Sequence, residues 1–284
     1  MLTFVILHYK NIKDTIDCLK SIKKLNNQDK ISIVVVDNNS LQDIDKDKIL
    51  KFTSDLILLD ENMGFAKGNN KGCSYAINKY HHDYLCVINN DIIINQKDFL
   101  KKIEDTYQKT YFDILGPKII TNSGDSVNPF YAYEDIEEIE QKINYSKKII
   151  KIYSNIIYRS LLKVYIFVKH LVKKPKKLEN GSEAKFNVAL HGCALIFSKK
   201  YYKKYKDVFY NETFLYHEEE FLNYRRIHDN LITYYNNDLE VFHKEGSSLN
   251  EVFSNNYKKV IFKHKEIIRS LSLLKKVIKE NKKI

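Results

Sequence analysis

Continuous apolar runs that alternate with amphipathic helical patterns constrain the fold of this chain most. LTFVILHY, ISIVVVD and DYLCVIN are short runs rich in branched side chains, and NIKDTIDCLKSIKKL has helical periodicity. Strands that are apolar throughout are typical of a parallel sheet covered by helices on both faces. The sequence therefore predicts an α/β fold with a mostly parallel central sheet flanked by helices. In such sheets, ligands bind at the carboxyl ends of the strands. Further along, LITYYNNDLEVFHKEGSS is predicted to form a strand pair and a loop.

Two basic segments interrupt this pattern. Residues 141–178 hold eleven Lys and Arg and no acid, and residues 257–284 hold ten against two acids, in a chain of 284 residues with a net charge of +11. We predict a main domain over residues 1–256 with a basic helical insertion at about 135–180, followed by a basic amphipathic C-terminal helix at 257–284. Charge asymmetry of this kind indicates an anionic partner, either a polyanion or an anionic membrane surface.

The spacing of the cysteines and the length of the apolar runs indicate the cellular compartment of the protein. The four cysteines form no CxxC pair, and Cys86 and Cys193 lie inside apolar runs, which is typical of reduced thiols in a core. MLTFVILHYK is too short an apolar run for a signal peptide, and we expect it to be the first strand. The sequence has no run of 18 apolar residues that would span a membrane. We expect a cytoplasmic protein.

Two acids follow or interrupt predicted strands. Asp37 ends VVVD, where its carboxylate either contacts a nucleotide base or ribose, or caps a turn through the backbone. Asp91 stands between two branched runs in VINNDIII, where a charge is unfavourable unless it has a partner. A Mn²⁺ or Mg²⁺ ion shared with substrate phosphates is one partner, and a polar turn is the alternative.

Two later motifs carry further candidates. In FLYHEEEFLNYR, three glutamates fall in the first turn of a predicted helix, where the helix dipole favours anions. One of them is alternatively a general base, since adjacent carboxylates raise one another's pKa toward neutral pH. In VFHKEGSS, His243 is either a hydrogen-bonded structural residue or a metal ligand.

The stretch DENMGFAKGNNKG has three glycines spaced by four, at Gly64, Gly68 and Gly72. It lacks the Lys-Ser/Thr ending with which a Walker loop holds phosphates and Mg²⁺. The spacing also fits close packing of a helix, so the glycines alone do not decide the function. Because DNNS precedes it and NND follows it, each at the end of a predicted strand, we interpret Gly64 to Asn70 as one wall of a nucleotide site.

Taken in order, VVVDNNS, NMGFAKGNN, NND, LHGCALIFSK, FLYHEEEFLNYR and VFHKEGSS resemble the motifs of family 2 glycosyltransferases. The resemblance extends to about Ser248 and is strongest to the rhamnosyltransferase-like branch that builds bacterial surface polysaccharides. It implies the glycosyltransferase A fold and transfer with inversion. By resemblance, the nucleotide contacts are Asp37, Asn39, Asn62, Gly64, Asn69 and Asn90; the Mn²⁺ or Mg²⁺ ligands are Asp91 and His243; the sugar and acceptor pocket is Gly192, Cys193 and Ala194; and the catalytic base is Glu219, preceded by Glu218.

Three positions depart from the family pattern. Asn89 replaces the first acid of the metal motif, Glu219 replaces the usual Asp, and His8 replaces a small or amide residue. None of these changes removes an essential chemical type, although the first weakens the expected metal affinity.

The resemblance implies a donor of the UDP- or dTDP-sugar type and an acceptor hydroxyl on a growing, lipid-linked surface glycan. A sugar nucleotidyltransferase is an alternative, but it needs a glycine-rich, lysine-bearing loop near the N-terminus, and MLTFVILHYKN contains none. A membrane-associated scaffold that binds sugar nucleotides without turnover is the other alternative.

The basic insertion has an unusual helical pattern. Basic and polar residues form a narrow stripe, with apolar residues around it: Lys148, Lys151, Asn155, Arg159 and Lys163. This pattern resembles a helix lying in the plane of an anionic membrane, and it leaves a homodimer interface or a cover over the sheet open. It contains no nucleic-acid-binding motif, so we expect no nucleic acid partner. The expected location is peripheral, at the inner face of the cell membrane.

Overall fold

The computed structural model describes residues 1–133, 135–156, 183–245 and 256–284. Nine described strands form one sheet, as β1 (Leu2–His8), β2 (Ile31–Asp37), β3 (Asp55–Leu58), β4 (Tyr84–Asn89), β5 (Ile92–Ile93), β6 (Ile114–Thr121), β7 (Lys185–Phe186), β8 (Ala194–Ser198) and β9 (Thr233–His243). The described helices are α1 (Ile12–Ile22), α2 (Asp43–Leu50), α3 (Gly64–Lys79), α4 (Phe99–Thr110), α5 (Ile136–Ser154), α6 (Lys199–Lys204), α7 (Glu218–His228) and α8 (Asn256–Lys279).

The sheet has the order β3-β2-β1-β4-β8-β6-β9-β5, with β7 beside β9. The first four strands in this order are parallel, as the apolar runs predict, and the α/β fold is confirmed. The expected parallel arrangement ends at β8, which is antiparallel to both β4 and β6. Residues 122–193, which include the basic insertion, separate β6 from β8, and a connection of this length allows the chain to enter the sheet from the opposite end.

The central strands are buried on both faces. In β4, Cys86 and Ile88 lie in one apolar cluster, while Leu85 and Val87 lie in the other. Helices α1 and α4 cover the first face, and α3 and α6 cover the second. This two-sided burial explains why these strands are continuous apolar runs in the sequence.

The glycines of α3 allow the helix to lie close to the sheet. A Cβ at Gly68 would come within 2.7 Å of the Leu7 side chain, and a Cβ at Gly72 within 2.6 Å of Val5 and Val36. Helical packing therefore accounts for two of the three glycines in the stretch.

The segment LITYYNNDLEVFH corrects one sequence prediction. A strand pair is expected there, but β9 is one strand with an irregular register against β6. Pro117 pairs with Asn236, while Lys118 pairs with Glu240, so three residues of β9 lie outside the ladder. Pro117 has no N–H to donate, which favours a break in the ladder at this point. The Asn236 side chain accepts from the N–H of Asp238 at 2.8 Å and stabilises the extra loop.

Helices α5 and α8 form a third apolar cluster with α7. Ile139 and Ile143 of α5 lie with Ile267 and Leu271 of α8 around Phe221 of α7. The predicted amphipathic C-terminal helix is therefore present, and its apolar face covers the protein's own core. In the proposed membrane helix, Arg159, Lys163 and the apolar residues beyond 156 lie outside the described residues. Among the described residues, no helix is both long and apolar enough to cross a membrane.

Candidate active site

The carboxyl ends of β1 and β2 place His8 and Asp37 side by side. Asp37 is 4% exposed, and its carboxylate accepts from the backbone N–H groups of Ser40 and Leu41, each at 3.1 Å. This is the turn-capping arrangement that the sequence leaves open, and it holds the loop after β2 in place. His8 Nδ1 lies 2.7 Å from Thr15 Oγ1, and burial lowers the pKa of His8. His8 is therefore a neutral, buried residue at this edge.

The loop before α3 is held by Asn38, a residue that the motif analysis did not single out. Asn38 donates to Asn62 Oδ1 at 2.9 Å and accepts from the N–H of Met63 at 2.8 Å. Asn62 Oδ1 also accepts from the N–H of Gly64 at 2.9 Å. Gly64 has a φ of +78°, and a Cβ there would come within 2.2 Å of the Phe214 carbonyl oxygen. Gly64 is thus required by backbone conformation and close approach together.

The two amides of α3 point into the protein. Asn69 is 1% exposed and donates to the Phe65 carbonyl at 3.0 Å, while its Oδ1 has no hydrogen-bond partner among the described residues. Asn70 donates to the Phe209 carbonyl at 2.8 Å and accepts from the Phe209 N–H at 2.9 Å. Asn70 therefore joins α3 to the segment before α7.

Asn39 and Asn90 differ in their freedom to meet a ligand. Asn39 is exposed and has a left-handed φ of +57°. Asn90 is buried and donates to Thr15 Oγ1 at 3.0 Å. Of these two amides, Asn39 is the one open to a ligand without rearrangement.

Asp91 and His243 meet at the far side of the same edge. Asp91 is 5% exposed, and its Oδ1 lies 3.2 Å from His243 Nε2. The contact lacks hydrogen-bond geometry, so Asp91 Oδ1 is a buried acceptor without a partner in the described part of the chain. Lys244, which the sequence analysis did not select, donates its N–H to the Asp91 carbonyl and pairs through Nζ with Asp14 and Asp17. These contacts fix the end of β9 against α1.

The donor set of Asp91 and His243 fits a divalent cation. A carboxylate oxygen and an imidazole nitrogen are both ligands that Mn²⁺ accepts. Across residues 1–133, 135–156, 183–245 and 256–284, no group of three or more His, Cys, Asp or Glu is arranged to hold a metal. The pair therefore suits a cation that takes its remaining ligands from a phosphate group or water.

The three glutamates at the start of α7 have different environments. Glu219 is half-buried, and its Oε1 accepts from the N–H of Gly192 at 3.0 Å. Glu218 is 6% exposed with no partner for Oε1 among the described residues, and burial beside the Glu219 carboxylate raises the pKa of Glu218 to about 8. Burial also raises the pKa of Glu220, although His217 Nδ1 at 3.1 Å opposes the shift. Glu219 is the member of the triplet that reaches the sheet edge.

Residues 191–193 connect the two groups. The Cys193 carbonyl accepts from the N–H of Asn89 at 2.9 Å, two residues before Asp91, while Gly192 bonds to Glu219. A Cβ at Gly192 would lie 2.8 Å from Glu219 Oε1, so the glycine allows this close approach. The buried Cys193 and Ala194 continue into β8. The structure thus brings the predicted base, pocket and metal residues to one edge of the sheet. Asp37, Asn69 and Asn90 lie near the same edge, but their side chains make contacts within the protein.

His191 is a further residue that sequence reasoning missed. Its Nδ1 accepts from the N–H of Cys193 at 3.2 Å, and burial lowers its pKa. The Glu219 and Glu245 carboxylates raise the pKa of His191, while the His243 imidazole lowers it. These interactions place His191 within electrostatic range of both Glu219 and His243. Its position directly before the Gly192 motif was the only available signal in the sequence.

The sequence profile of Glycosyl transferase family 2 matches residues 3–206, more than half of the chain. The chain belongs to glycosyltransferase family 2. No curated protein matches it. The profile ends before α7 and β9, so the roles of Glu218, Glu219 and His243 rest on the geometry and on the motif resemblance.

Solved structures share the fold of this family 2 chain. S. aureus TarS 1-349 has a TM-score of 0.52 at 17% identity, over 89% of this chain and 63% of that one. TarS 1-349 in complex with UDP has a TM-score of 0.52 at 12% identity, over 92% and 69%. The mannosyltransferase PcManGT from Pyrobaculum calidifontis, in complex with GDP-Man and Mn²⁺, has a TM-score of 0.51 at 10% identity, over 94% and 69%. The chain spans less than two thirds of TarS 1-349 in the first of these comparisons.

Proposed function

We propose that this chain is an inverting glycosyltransferase of the rhamnosyltransferase-like type. It transfers a sugar from a UDP- or dTDP-linked donor to a hydroxyl of a growing, lipid-linked surface glycan. The observation that carries the proposal is the hydrogen bond from Gly192 N–H to Glu219 Oε1 at 3.0 Å. It fixes a carboxylate at the sheet edge that also holds Asp91 and His243, within the domain over residues 1–256.

Glu219 is the proposed general base. Its Oε1 is held by Gly192, so Oε2 is the oxygen that takes the proton from the acceptor hydroxyl. Glu218 next to it has a raised pKa of about 8 and is mostly protonated at neutral pH. At neutral pH, Glu218 therefore adds little negative charge beside Glu219, the carboxyl group that the acceptor hydroxyl is proposed to meet.

Asp91 and His243 are the proposed ligands of a Mn²⁺ or Mg²⁺ ion. When bound, the cation would neutralise the charge that develops on the leaving diphosphate. The buried Asp91 Oδ1 lacks a hydrogen-bond partner among the described residues, and a bound cation would give this oxygen a positively charged partner. This gain supports metal binding because an unpartnered buried carboxylate oxygen is unfavourable.

The nucleotide side is proposed to lie along the ends of β1 and β2 and the loop before α3. Asn39 and the half-buried Asn62 have the exposure for direct contact with a base or ribose. Asp37 and Gly64 shape this wall through the turns that they stabilise. For Asn69 and Asn90, a direct contact requires their buried side chains to turn outward. The sugar and acceptor occupy the pocket along Gly192, Cys193 and Ala194.

A screen tests this proposal. A panel of UDP-, dTDP- and GDP-sugars is assayed for Mn²⁺-dependent hydrolysis and for thermal stabilisation of the protein. Glu219→Gln is expected to keep donor binding and to lose roughly 100-fold or more in turnover, the scale of a general base. Glu212→Gln, at an exposed glutamate before α7, is the matched control. Near-normal turnover of Glu219→Gln would reject the assignment, and donor binding without any turnover would indicate a scaffold.

The basic helices support a second part of the proposal, that the enzyme lies on an anionic membrane at the inner face of the cell. A groove of about 580 Å³ runs between α5 and α8 and is lined by Lys147, Lys275, Lys276 and Lys279. Two acids also line it, and Glu140 pairs with Lys275. The groove therefore has a net positive charge, as expected of a surface that meets lipid headgroups or a phosphate-bearing acceptor.

Liposome flotation tests the membrane contact. Replacing Lys147, Lys276 and Lys279 by Glu removes three basic groups, each contributing about 1 kcal/mol near an anionic leaflet, and adds three acidic groups that the leaflet repels. Affinity should therefore fall by at least about 100-fold. The matched control carries the same charge change at the exposed Lys20, Lys23 and Lys24 of the α1 region. Equal binding of both variants to vesicles with anionic lipid would contradict the groove as the contact surface.

A further inference from the structure

The imidazole of His191 has a defined tautomer. Because Nδ1 accepts from the N–H of Cys193 at 3.2 Å, the ring proton lies on Nε2. Burial lowers the pKa of His191, which is consistent with a neutral ring. Nε2–H has no acceptor among the residues that the structure describes, so within this part of the chain His191 retains one unused hydrogen-bond donor.

The ring is held before any ligand arrives. The backbone N–H of His191 donates to Asn128 Oδ1 at 2.7 Å. The Asn128 side chain in turn donates to the carbonyl of Pro117 in β6 at 2.8 Å. The Phe130 ring meets the imidazole edge-on, with centroids 6.0 Å apart and planes at 81°. A donor fixed in this way loses little conformational entropy when it binds a ligand.

The position of the ring defines what it can meet. His191 directly precedes Gly192, whose N–H donates to Glu219 Oε1 at 3.0 Å, and the next residue, Cys193, accepts from the N–H of Asn89, two residues before Asp91. The Glu219 carboxylate and the His243 imidazole also act on His191 electrostatically. In the proposed reaction, the acceptor hydroxyl lies at Glu219 and the diphosphate lies at Asp91 and His243, so the transferred sugar lies between them. We propose that His191 Nε2–H donates a hydrogen bond to a hydroxyl of the transferred sugar. This inference rests on the proposed function and adds a sugar-binding residue to that site.

A purely structural role makes a different prediction. In that case His191 acts only through the acceptor Nδ1, which holds the N–H of Cys193. Asn places a polar atom near the position of Nδ1 and loses the donor at Nε2, whereas Gln places an amide near Nε2 and loses the acceptor. His191→Asn and His191→Gln therefore separate the two roles.

Titration calorimetry provides the test. The probes are UDP and dTDP, compared with UDP-glucose, UDP-galactose, UDP-N-acetylglucosamine and dTDP-rhamnose in Mn²⁺. For the sugar nucleotide that the wild-type protein binds, His191→Asn is expected to bind about 3- to 10-fold more weakly, the scale of one hydrogen bond, with unchanged affinity for the free diphosphate. His191→Gln is expected to remain within about 2-fold of wild type on this scale. His228→Asn is the control, because His228 lies at the C-terminal end of α7, away from the glutamates at its start.

Three results would overturn the inference. Wild-type affinity of His191→Asn shows that the donor is unused, and loss only in His191→Gln shows a structural role. If His191→Asn weakens the binding of the sugar nucleotide and of the free diphosphate equally, His191 either contacts the diphosphate or stabilises the fold. A lowered unfolding temperature of the variant would identify the second case. If the wild-type protein binds none of the probes, the proposed function fails together with this inference. If the wild-type protein transfers sugar and His191→Asn binds the sugar nucleotide with the same affinity, only the inference is rejected.

Discussion

Replacing Glu218 by Gln should stabilise the protein at neutral pH and leave it almost unchanged at acidic pH. Glu218 is 6% exposed and has a pKa near 8, against 4.5 for an ordinary glutamate. A raised carboxyl pKa means that folding favours the protonated form. Its contribution to stability is fully present below pH 4.5, is lost progressively as the pH rises, and is gone above about pH 8.

The magnitude follows from the difference in pKa. At pH 7 the unfolded chain has Glu218 ionised, while the folded protein keeps it mostly protonated, which destabilises the fold by about 3 kcal/mol relative to low pH. Gln has nearly the shape of a protonated glutamate and does not titrate, so Glu218→Gln removes this penalty. We expect the variant to be more stable than wild type by about 2–3 kcal/mol at pH 7 and by less than about 1 kcal/mol at pH 5.

Urea unfolding at the two pH values measures the effect. The comparison of variant with wild type at each pH removes the contribution of the other titrating groups. For Glu212→Gln, at an exposed position, the difference in unfolding free energy from wild type should be the same at pH 5 and at pH 7. A stability difference for Glu218→Gln that is the same at both pH values would refute the argument, because it would show that the carboxyl has an ordinary pKa in the folded protein.

Three further predictions concern the site and its supports. Gly192→Ala places a Cβ 2.8 Å from Glu219 Oε1 and should lower kcat at least 10-fold, with a change in melting temperature of only a few degrees; full activity would exclude Gly192 as the group that positions the base. Asp91→Asn should abolish the Mn²⁺ dependence of nucleoside diphosphate binding in calorimetry, and an unchanged dependence would remove Asp91 from the metal site. Asn70→Ala breaks both hydrogen bonds to Phe209 and should reduce the free energy of unfolding by about 2–3 kcal/mol; a loss below about 0.5 kcal/mol in urea unfolding would contradict this.

The sheet was predictable to the extent that burial determines the residue pattern. β1, β2 and β4 are buried on both faces along most of their length, so most of their side chains are apolar and the runs stand out. The direction of β8 was not predictable, because an antiparallel strand buried on both faces has the same composition. The single strand β9 was mistaken for two because Asn236 and Asp238 form local hydrogen bonds within it, and such residues usually indicate turns.

Within the site, motif residues were easier to predict than their contacts. Glu219, Asp91 and His243 lie at the sheet edge that the motif order indicates. For Asp37, the sequence left two possibilities, and its backbone contacts agree with the turn cap, whereas the nucleotide contact stays a prediction. His191 was missed because its importance depends on Glu219 and His243, which lie 28 and 52 positions further along the chain.

The contact between α7 and α8 has a consequence for biosynthesis. Ser270 of α8 donates to the Leu215 carbonyl at 3.1 Å, next to the turn that starts α7, and Ile267 and Leu271 cover Phe221 behind the glutamates. While residues 267–277 are still inside the ribosome, Phe221 lacks these partners and the first turn of α7 lacks its support. The support of the first turn of α7 therefore forms only after α8 has emerged from the ribosome, so a nascent chain that already has its sheet still lacks the packing behind the three glutamates.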